Sequence, residues 1–132
     1  MIDDEGTIHH EVRLAHPVER VWHAITDRDE IGKWLMTNDF KPEVGHHFKL
    51  ETGTEIGAFE AEVLTVDEPR MLRCRWMVDG TPTTVTMVLE PDGDGTRLRL
   101  EHAGAPAGPR EGFDEGWPEK FDNLARVLKE ET

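Results

Sequence analysis

Two hydrophobic periodicities alternate in the first third of the chain. In residues 7–15 the apolar side chains Ile8, Val12 and Leu14 share one face, the period-two pattern of a half-buried strand. After Pro17, a residue suited to the first turn of a helix, apolar residues recur at helical spacing as far as Ile25. Thr26-Asp27 is predicted to end this helix and cap the next, because Asp is a good helix cap, and a second short helix follows with Ile31, Trp34 and Leu35. The pattern therefore predicts one strand followed by two short helices.

The period of two returns at Gly45 and continues for almost sixty residues. It predicts five strands, at about residues 46–52, 58–66, 71–78, 83–90 and 96–102. The connectors are short and rich in Gly, Pro and Asp, so consecutive strands should be antiparallel neighbours. If the turn at residues 67–70 closes a hairpin, Glu62 comes opposite or near Arg75 on the solvent face.

A long helix is predicted at the C-terminal end of the chain. Residues 103–112 are rich in Gly, Pro and Ala and indicate a loop, and Pro118 is expected in the first helical turn. The helix then carries an apolar stripe formed by Phe113, Trp117, Phe121, Leu124 and Leu128. This stripe can cover the apolar face of the meander, and the first strand can pair with the last one. We therefore expect a single α+β domain over residues 1–132, with a curved antiparallel six-stranded sheet wrapped around the last helix.

Composition restricts the partners and the compartment. The chain has 28 acidic and 15 basic residues and a formal net charge of −13, which repels nucleic acid and anionic membrane surfaces. Its one cysteine, Cys74, excludes an intramolecular disulfide. The acidic start of the chain is unlike a secretory signal, and no run approaches the roughly 18 apolar residues of a membrane span. We expect a cytoplasmic protein that binds neither nucleic acid nor membrane.

Five groups of residues resemble one family. They are Ala15-His16-Pro17-Val18-Glu19-Arg20-Val21-Trp22 with Ala24-Ile25-Thr26-Asp27 and Trp34; Val44-Gly45 with Phe48; Asp67-Glu68-Pro69-Arg70-Met71-Leu72 with Trp76; Gly95-Thr96-Arg97-Leu98; and Gly116-Trp117 with Leu124 and Leu128. On these residues the chain resembles the START-like superfamily, also called the polyketide-cyclase-like or pollen-allergen-like fold, which has a helix-grip architecture. The closest resemblance is to the branch related to the C-terminal domain of the ATPase activator of the ninety-kilodalton heat-shock chaperone. It implies a cavity between sheet and last helix for a small apolar or amphipathic molecule, and a link to a chaperone.

Metal and cofactor sites are not expected. The sequence has seven histidines, but adjacent histidines in a strand point to opposite faces, and no Cys-x-x-Cys or His-Glu-x-x-His motif is present. Only His10 and His102 can be brought together, across the first and last strands at one rim of the cavity. These two histidines could bind a ligand or could simply be exposed to solvent at the rim, and exposure is the more common case.

Catalytic residues are not expected either. Cys74 shares the inward phase of Leu72 and Trp76, where a thiol is usually inert. Serine and tyrosine are absent from the sequence, and no inward pair of carboxylates can be assigned. An enzyme of the cyclase or dehydratase type therefore ranks last among the functions considered.

The predicted ligand site lies where the family keeps its pocket. Core and pocket wall both remain open for four aromatic residues, because pockets are lined mainly by apolar and aromatic groups; these residues are Trp76, Phe113, Trp117 and Phe121. The leading interpretation is a small-molecule binding protein, whose partner is a small apolar or amphipathic molecule. The alternative is a chaperone-linked or other protein-interaction module. The predicted ligand-binding residues are Trp34, Phe48, Trp76, Met87, His102, Phe113, Trp117 and Phe121.

Overall fold

The computed structural model describes residues 1–54 and 57–130, in which seven antiparallel strands form one curled sheet and three helices lie on its inner side. The elements are β1 (Ile8–Leu14), α1 (Val18–Thr26), α2 (Arg28–Trp34), β2 (Thr37–Asn38), β3 (His47–Glu51), β4 (Ala58–Asp67), β5 (Met71–Val78), β6 (Thr81–Asp92), β7 (Gly95–Ala103) and α3 (Pro109–Glu130). The strand order is β1-β7-β6-β5-β4-β3-β2. The fold is thus α+β with the helix-grip arrangement that the sequence predicts.

The register of the sheet confirms the predicted pairings. β1 pairs with β7, closing the first strand onto the last, and Ile8 lies opposite His102. Glu62 lies opposite Arg75, whose Nη1 donates to Glu62 Oε1 over 2.9 Å. The prediction of six strands was one short, because β2 has only two residues and cannot show a periodicity.

The start of the last helix differs from its prediction. α3 begins at Pro109, so Pro118 lies in its interior and not in its first turn. A proline has no N–H to donate to the carbonyl four residues earlier, here that of Asp114. His10 Nε2 lies 3.0 Å from this carbonyl oxygen and 2.9 Å from Asp114 Oδ1. Both oxygens only accept, so Nε2 carries the proton, and β1 supplies the hydrogen bond that the helix lacks.

The three helices close the core over the concave side of the sheet. α3 lies against β1, α1 and α2, while α1 lies against β6 and β7. The predicted stripe of α3 is buried from Trp117 to Leu128, whereas Phe113 is half-buried. Burying one such side chain stabilises the fold by roughly 1.5–3 kcal/mol. Within the described residues, no helix is long and apolar enough to cross a membrane.

Candidate ligand-binding site

Six rings from the sheet and α3 form an aromatic cluster at one end of the core. Trp76 and Trp117 have ring centroids 5.5 Å apart, and Trp117 and Phe121 have centroids 5.7 Å apart. The imidazole of His102 lies 4.7 Å from the ring of Phe113. These side chains pack together between the sheet and α3. The aromatic cluster consists of Phe59, Trp76, His102, Phe113, Trp117 and Phe121.

His102 is held in one tautomer inside this cluster. Its Nδ1 accepts from Trp117 Nε1 over 3.3 Å, so the ring proton is on Nε2. Nε2 lies 3.0 Å from Thr83 Oγ1, and this hydroxyl donates in turn to the backbone oxygen of Trp76 over 2.8 Å. Burial lowers the pKa of His102 to about 4. The imidazole is therefore neutral, with both nitrogens already partnered.

An apolar groove of about 190 Å³ opens beside the aromatic cluster, between α3 and the turn after α2. Its walls include two glycines one helical turn apart, Gly112 and Gly116. A Cβ placed at either glycine would meet no atom within 4 Å. This face of α3 is therefore open space. The residues that line the groove are Leu35, Met36, Trp76, Gly112, Phe113, Gly116, Trp117 and Lys120.

A smaller inner cavity lies beneath α1 and α2, against β3, β5 and β6. Its volume is about 30 Å³, which suits a water molecule or two and not an organic ligand. Leu35 and Trp76 line both the inner cavity and the groove. These two side chains therefore form the partition between the two spaces. The residues that line the inner cavity are Ile25, Ile31, Trp34, Leu35, Phe40, Phe48, Leu50, Leu72, Cys74, Trp76, Val85 and Met87.

The predicted ligand-binding residues divide between these spaces. Trp76, Phe113 and Trp117 line the groove. The inner cavity is lined by Trp34, Phe48, Met87 and again Trp76.

The other two predicted residues lie inside the core. Phe121 packs on Trp117 and lines neither space. His102 is 0% exposed and not at a rim, because its polar partners Thr83 and Trp117 come from β6 and α3. His10 is separated from it by the register, which sets His10 opposite Leu100.

Sequence reasoning missed several residues of the groove. Leu35 and Met36 follow a short helix, and their position over α3 is set by tertiary packing alone. Gly112 was predicted to lie in a loop, which hid its relation to Gly116. Residues four apart in a helix lie on the same face, so the two glycines can be recognised as neighbours only when α3 is known to start at Pro109. Lys120 has no local signal that would assign it to a groove.

A group of three potential metal ligands also escaped the sequence analysis. Ligand atoms of His23, Asp27 and Glu30 all lie within 4.8 Å of one another at the junction of α1 and α2. Both carboxylate oxygens of Glu30 already accept from Arg20, over 2.7 and 3.1 Å, and His23 Nε2 lies 3.0 Å from one of them. Asp27 accepts from the backbone N–H of Glu30 as the cap of α2. The carboxylate of Glu30 is therefore paired with a guanidinium, and that of Asp27 is used as a helix cap.

Cys74 has the properties expected of an inert core thiol. It is buried, and burial raises its pKa to about 12. A thiolate is thus suppressed at neutral pH. Among the described residues, Glu30 is the one buried carboxylate, and its oxygens are those bonded to Arg20.

Comparisons with known proteins place this fold in a family. No functionally curated protein matches the chain. The structure of protein MLL2253 from Mesorhizobium loti is 34% identical and has a TM-score of 0.88, over 94% of this chain and 97% of that one. Protein BH1534 from Bacillus halodurans is 31% identical with a TM-score of 0.79, over 92% of this chain and 96% of that one.

A third structure, the Aha1 dimer from Colwellia psychrerythraea, shares the fold with a TM-score of 0.80. It is 18% identical, over 92% of this chain and 95% of that one. The family model described as "Activator of Hsp90 ATPase homolog 1-like protein" matches residues 15–129. The match includes α1, α2, all but the last residue of α3, and every strand but β1. The chain therefore belongs to the family of activator of Hsp90 ATPase homologue 1-like proteins.

Proposed function

We propose that this protein binds a small apolar or amphipathic molecule in the groove beside α3. The observation that carries the proposal is the composition of this concave surface. Every residue that lines it is apolar except Lys120, and two helical positions contribute no side chain. Ligand pockets in proteins are mainly apolar and aromatic, with few polar groups that fix orientation.

The two glycines support the proposal energetically. A glycine inside a helix costs about 1 kcal/mol relative to alanine. Neither Gly112 nor Gly116 has a positive φ angle, and neither contacts an atom that a Cβ would displace. Packing and backbone geometry thus give no reason for glycine at these positions. An occupant lying along α3 would supply one.

The partition between groove and inner cavity indicates how larger molecules would fit. The groove is smaller than the roughly 300–1,000 Å³ of typical ligand pockets. Leu35 is half-buried and follows α2, and displacement of its side chain would join the groove to the cavity beneath α1 and α2. A ligand entering beside Phe113 would then extend along Trp76.

Tryptophan fluorescence and thermal denaturation together test the proposal. Trp76 and Trp117 line the groove, so an apolar ligand should shift or quench their emission in a saturable way. Binding to the native state alone raises stability by about 2.7 kcal/mol at a hundredfold excess over the dissociation constant. Fatty acids, sterols, flavonoids and polycyclic aromatics sample the relevant chemistry. If no compound produces both signals, the proposal is wrong.

A chaperone-linked interaction module is the second candidate, supported by the family to which the chain belongs. Under this alternative the chain binds Hsp90 and changes its ATPase rate, and the groove needs no small ligand. Titrating the protein into Hsp90, with ATP hydrolysis and binding heat as readouts, tests it. A cytoplasmic location suits either candidate, since the one thiol is unpaired and buried.

A further inference from the structure

Lys120 is a half-buried cation with no ionic partner among the described residues. It lines the groove on α3, and no carboxylate lies within ion-pair distance of its ammonium. The positions one helical turn away carry Gly116, Trp117, Asn123 and Leu124, so no acidic side chain is available along the helix. An unpaired charge on an apolar surface lacks compensation that an anion would provide.

Trp76 contributes a second unused donor. The indole N–H of Trp34 donates to the backbone oxygen of Ala24, and that of Trp117 donates to His102. The indole of Trp76 has no hydrogen-bond partner in the described structure, although the residue is 3% exposed. No solvent-inaccessible side-chain nitrogen or oxygen of the described residues lacks a partner, so the indole nitrogen of Trp76 keeps some solvent exposure. Trp76 borders both the groove and the inner cavity.

Two side chains that line the groove, Lys120 and Trp76, therefore carry N–H donors without partners. Among its lining side chains, Lys120 and Trp76 have free N–H groups, and the others are hydrocarbon, glycine, a thioether or the partnered indole of Trp117. An ammonium or a polyol would find no strong acceptor on these side chains. A carboxylate would accept from a charged donor, which forms one of the stronger hydrogen bonds.

We propose that the natural ligand of the groove is an amphipathic organic anion, with an apolar body along α3 and a carboxylate or similar oxygen anion at Lys120. This inference rests on the proposed function and specifies its ligand class. The net charge of −13 opposes anions at long range, so a preference for them must come from local donors.

Three compounds that share an eight-carbon chain and differ in their head group distinguish the contribution of the head group to binding from that of the apolar body. They are octanoate, 1-octanol and octylammonium. Binding is measured by calorimetry, and two-dimensional ¹H–¹⁵N spectra follow the tryptophan indoles. We expect octanoate to bind about tenfold more tightly than 1-octanol, the factor that corresponds to one charge-assisted hydrogen bond. Octylammonium should bind most weakly. The indole resonance of Trp76 should shift with octanoate, while that of Trp34, which is already bonded, stays in place.

Lys120→Gln should lower the affinity for octanoate about tenfold and leave the affinity for 1-octanol within about twofold of the wild-type value. Lys41→Gln is the matched control, since Lys41 is exposed, lies outside the groove and carries the same charge. Equal affinity of the wild type for octanoate and 1-octanol would overturn the anion inference and leave the apolar groove standing. An equal loss of octanoate affinity in Lys120→Gln and Lys41→Gln would also overturn the anion inference. The loss would then come from the change in net charge and not from a contact with Lys120. If none of the three compounds binds, the proposed function fails with it.

Discussion

The indole of Trp117 and the imidazole of His102 join α3 to the last strand of the sheet through a hydrogen bond of 3.3 Å. This bond determines which imidazole nitrogen carries the proton, and on the other side of the ring Nε2–H donates a hydrogen bond to Thr83 Oγ1. The bond lies in the aromatic cluster behind the groove. The position of Trp117, which lines the groove, is therefore coupled to the protonation state of a buried histidine.

Stability should depend on pH through His102. Burial lowers its pKa in the folded protein to about 4, whereas in the unfolded chain it titrates near 6.5. Between these values the unfolded state binds a proton that the folded state does not. The free energy of unfolding should therefore fall as the pH falls from about 6.5, by up to about 3 kcal/mol near pH 4. Urea denaturation at several pH values measures the loss, and NMR titration of the His102 ring assigns it. A folded-state midpoint near 6.5 would contradict the prediction.

Replacing Trp117 separates its packing from its hydrogen bond. Trp117→Ala should destabilise the protein by about 3–5 kcal/mol, because the side chain is buried. Trp117→Phe keeps a ring but leaves His102 Nδ1 without a donor, at a cost of about 1–3 kcal/mol. Trp22→Phe is the control, because Trp22 is buried and its indole has no hydrogen-bond partner in the described structure. Equal costs for the two Phe variants in denaturation would show that the bond to His102 contributes nothing.

Leu35 should limit the length of the ligand. Leu35→Ala removes part of the partition and joins the groove to the inner cavity, at a cost of about 1–3 kcal/mol in stability. Affinity should then increase from 1-octanol to 1-dodecanol more steeply than in the wild type. Met36→Ala widens the groove without joining the spaces, since Met36 lines the groove alone. If both variants change the length dependence equally, Leu35 is not the partition.

We expect no tightly bound metal. The carboxylate of Glu30 is already bonded to Arg20 and His23, and a cation would have to displace the guanidinium. Protein purified without a histidine tag should contain no stoichiometric zinc or iron after dialysis, and a chelator should leave its melting temperature unchanged. Elemental analysis that finds one metal ion per chain, lost in Glu30→Gln, would overturn this expectation.

Most of the fold was predictable because its determinants are local. The alternation of residues 71–78 predicted β5 with the bounds that the structure has. The wrong predictions concern features whose causes are distant in sequence. Pro118 lies within α3, and the carbonyl that the proline leaves unpaired is bonded by His10, more than a hundred residues away. β2 is a two-residue strand that exists through its pairing with β3.

The site was less predictable than the fold, for the same physical reason. The alternation of apolar and polar residues correctly predicted that Trp76 and His102 face the interior. It could not show that Thr83 and Trp117 would bury the imidazole completely, because these partners come from other elements. The open face of α3 depends on where the helix starts, and the proline-based prediction placed that start too late.

The claim that the groove beside α3 is the ligand site is tested most directly by filling it. Gly116→Leu places a side chain in the open space, and Gly32→Leu is the matched control, since Gly32 is a helical glycine of α2 with equally free surroundings outside the groove. Both variants should fold with unchanged or higher stability, because leucine favours a helix by up to about 1 kcal/mol over glycine. Calorimetric titration with octanoate and 1-octanol should show at least about tenfold weaker binding for Gly116→Leu and wild-type affinity for Gly32→Leu. Undiminished binding of both compounds to a folded Gly116→Leu variant would contradict the account.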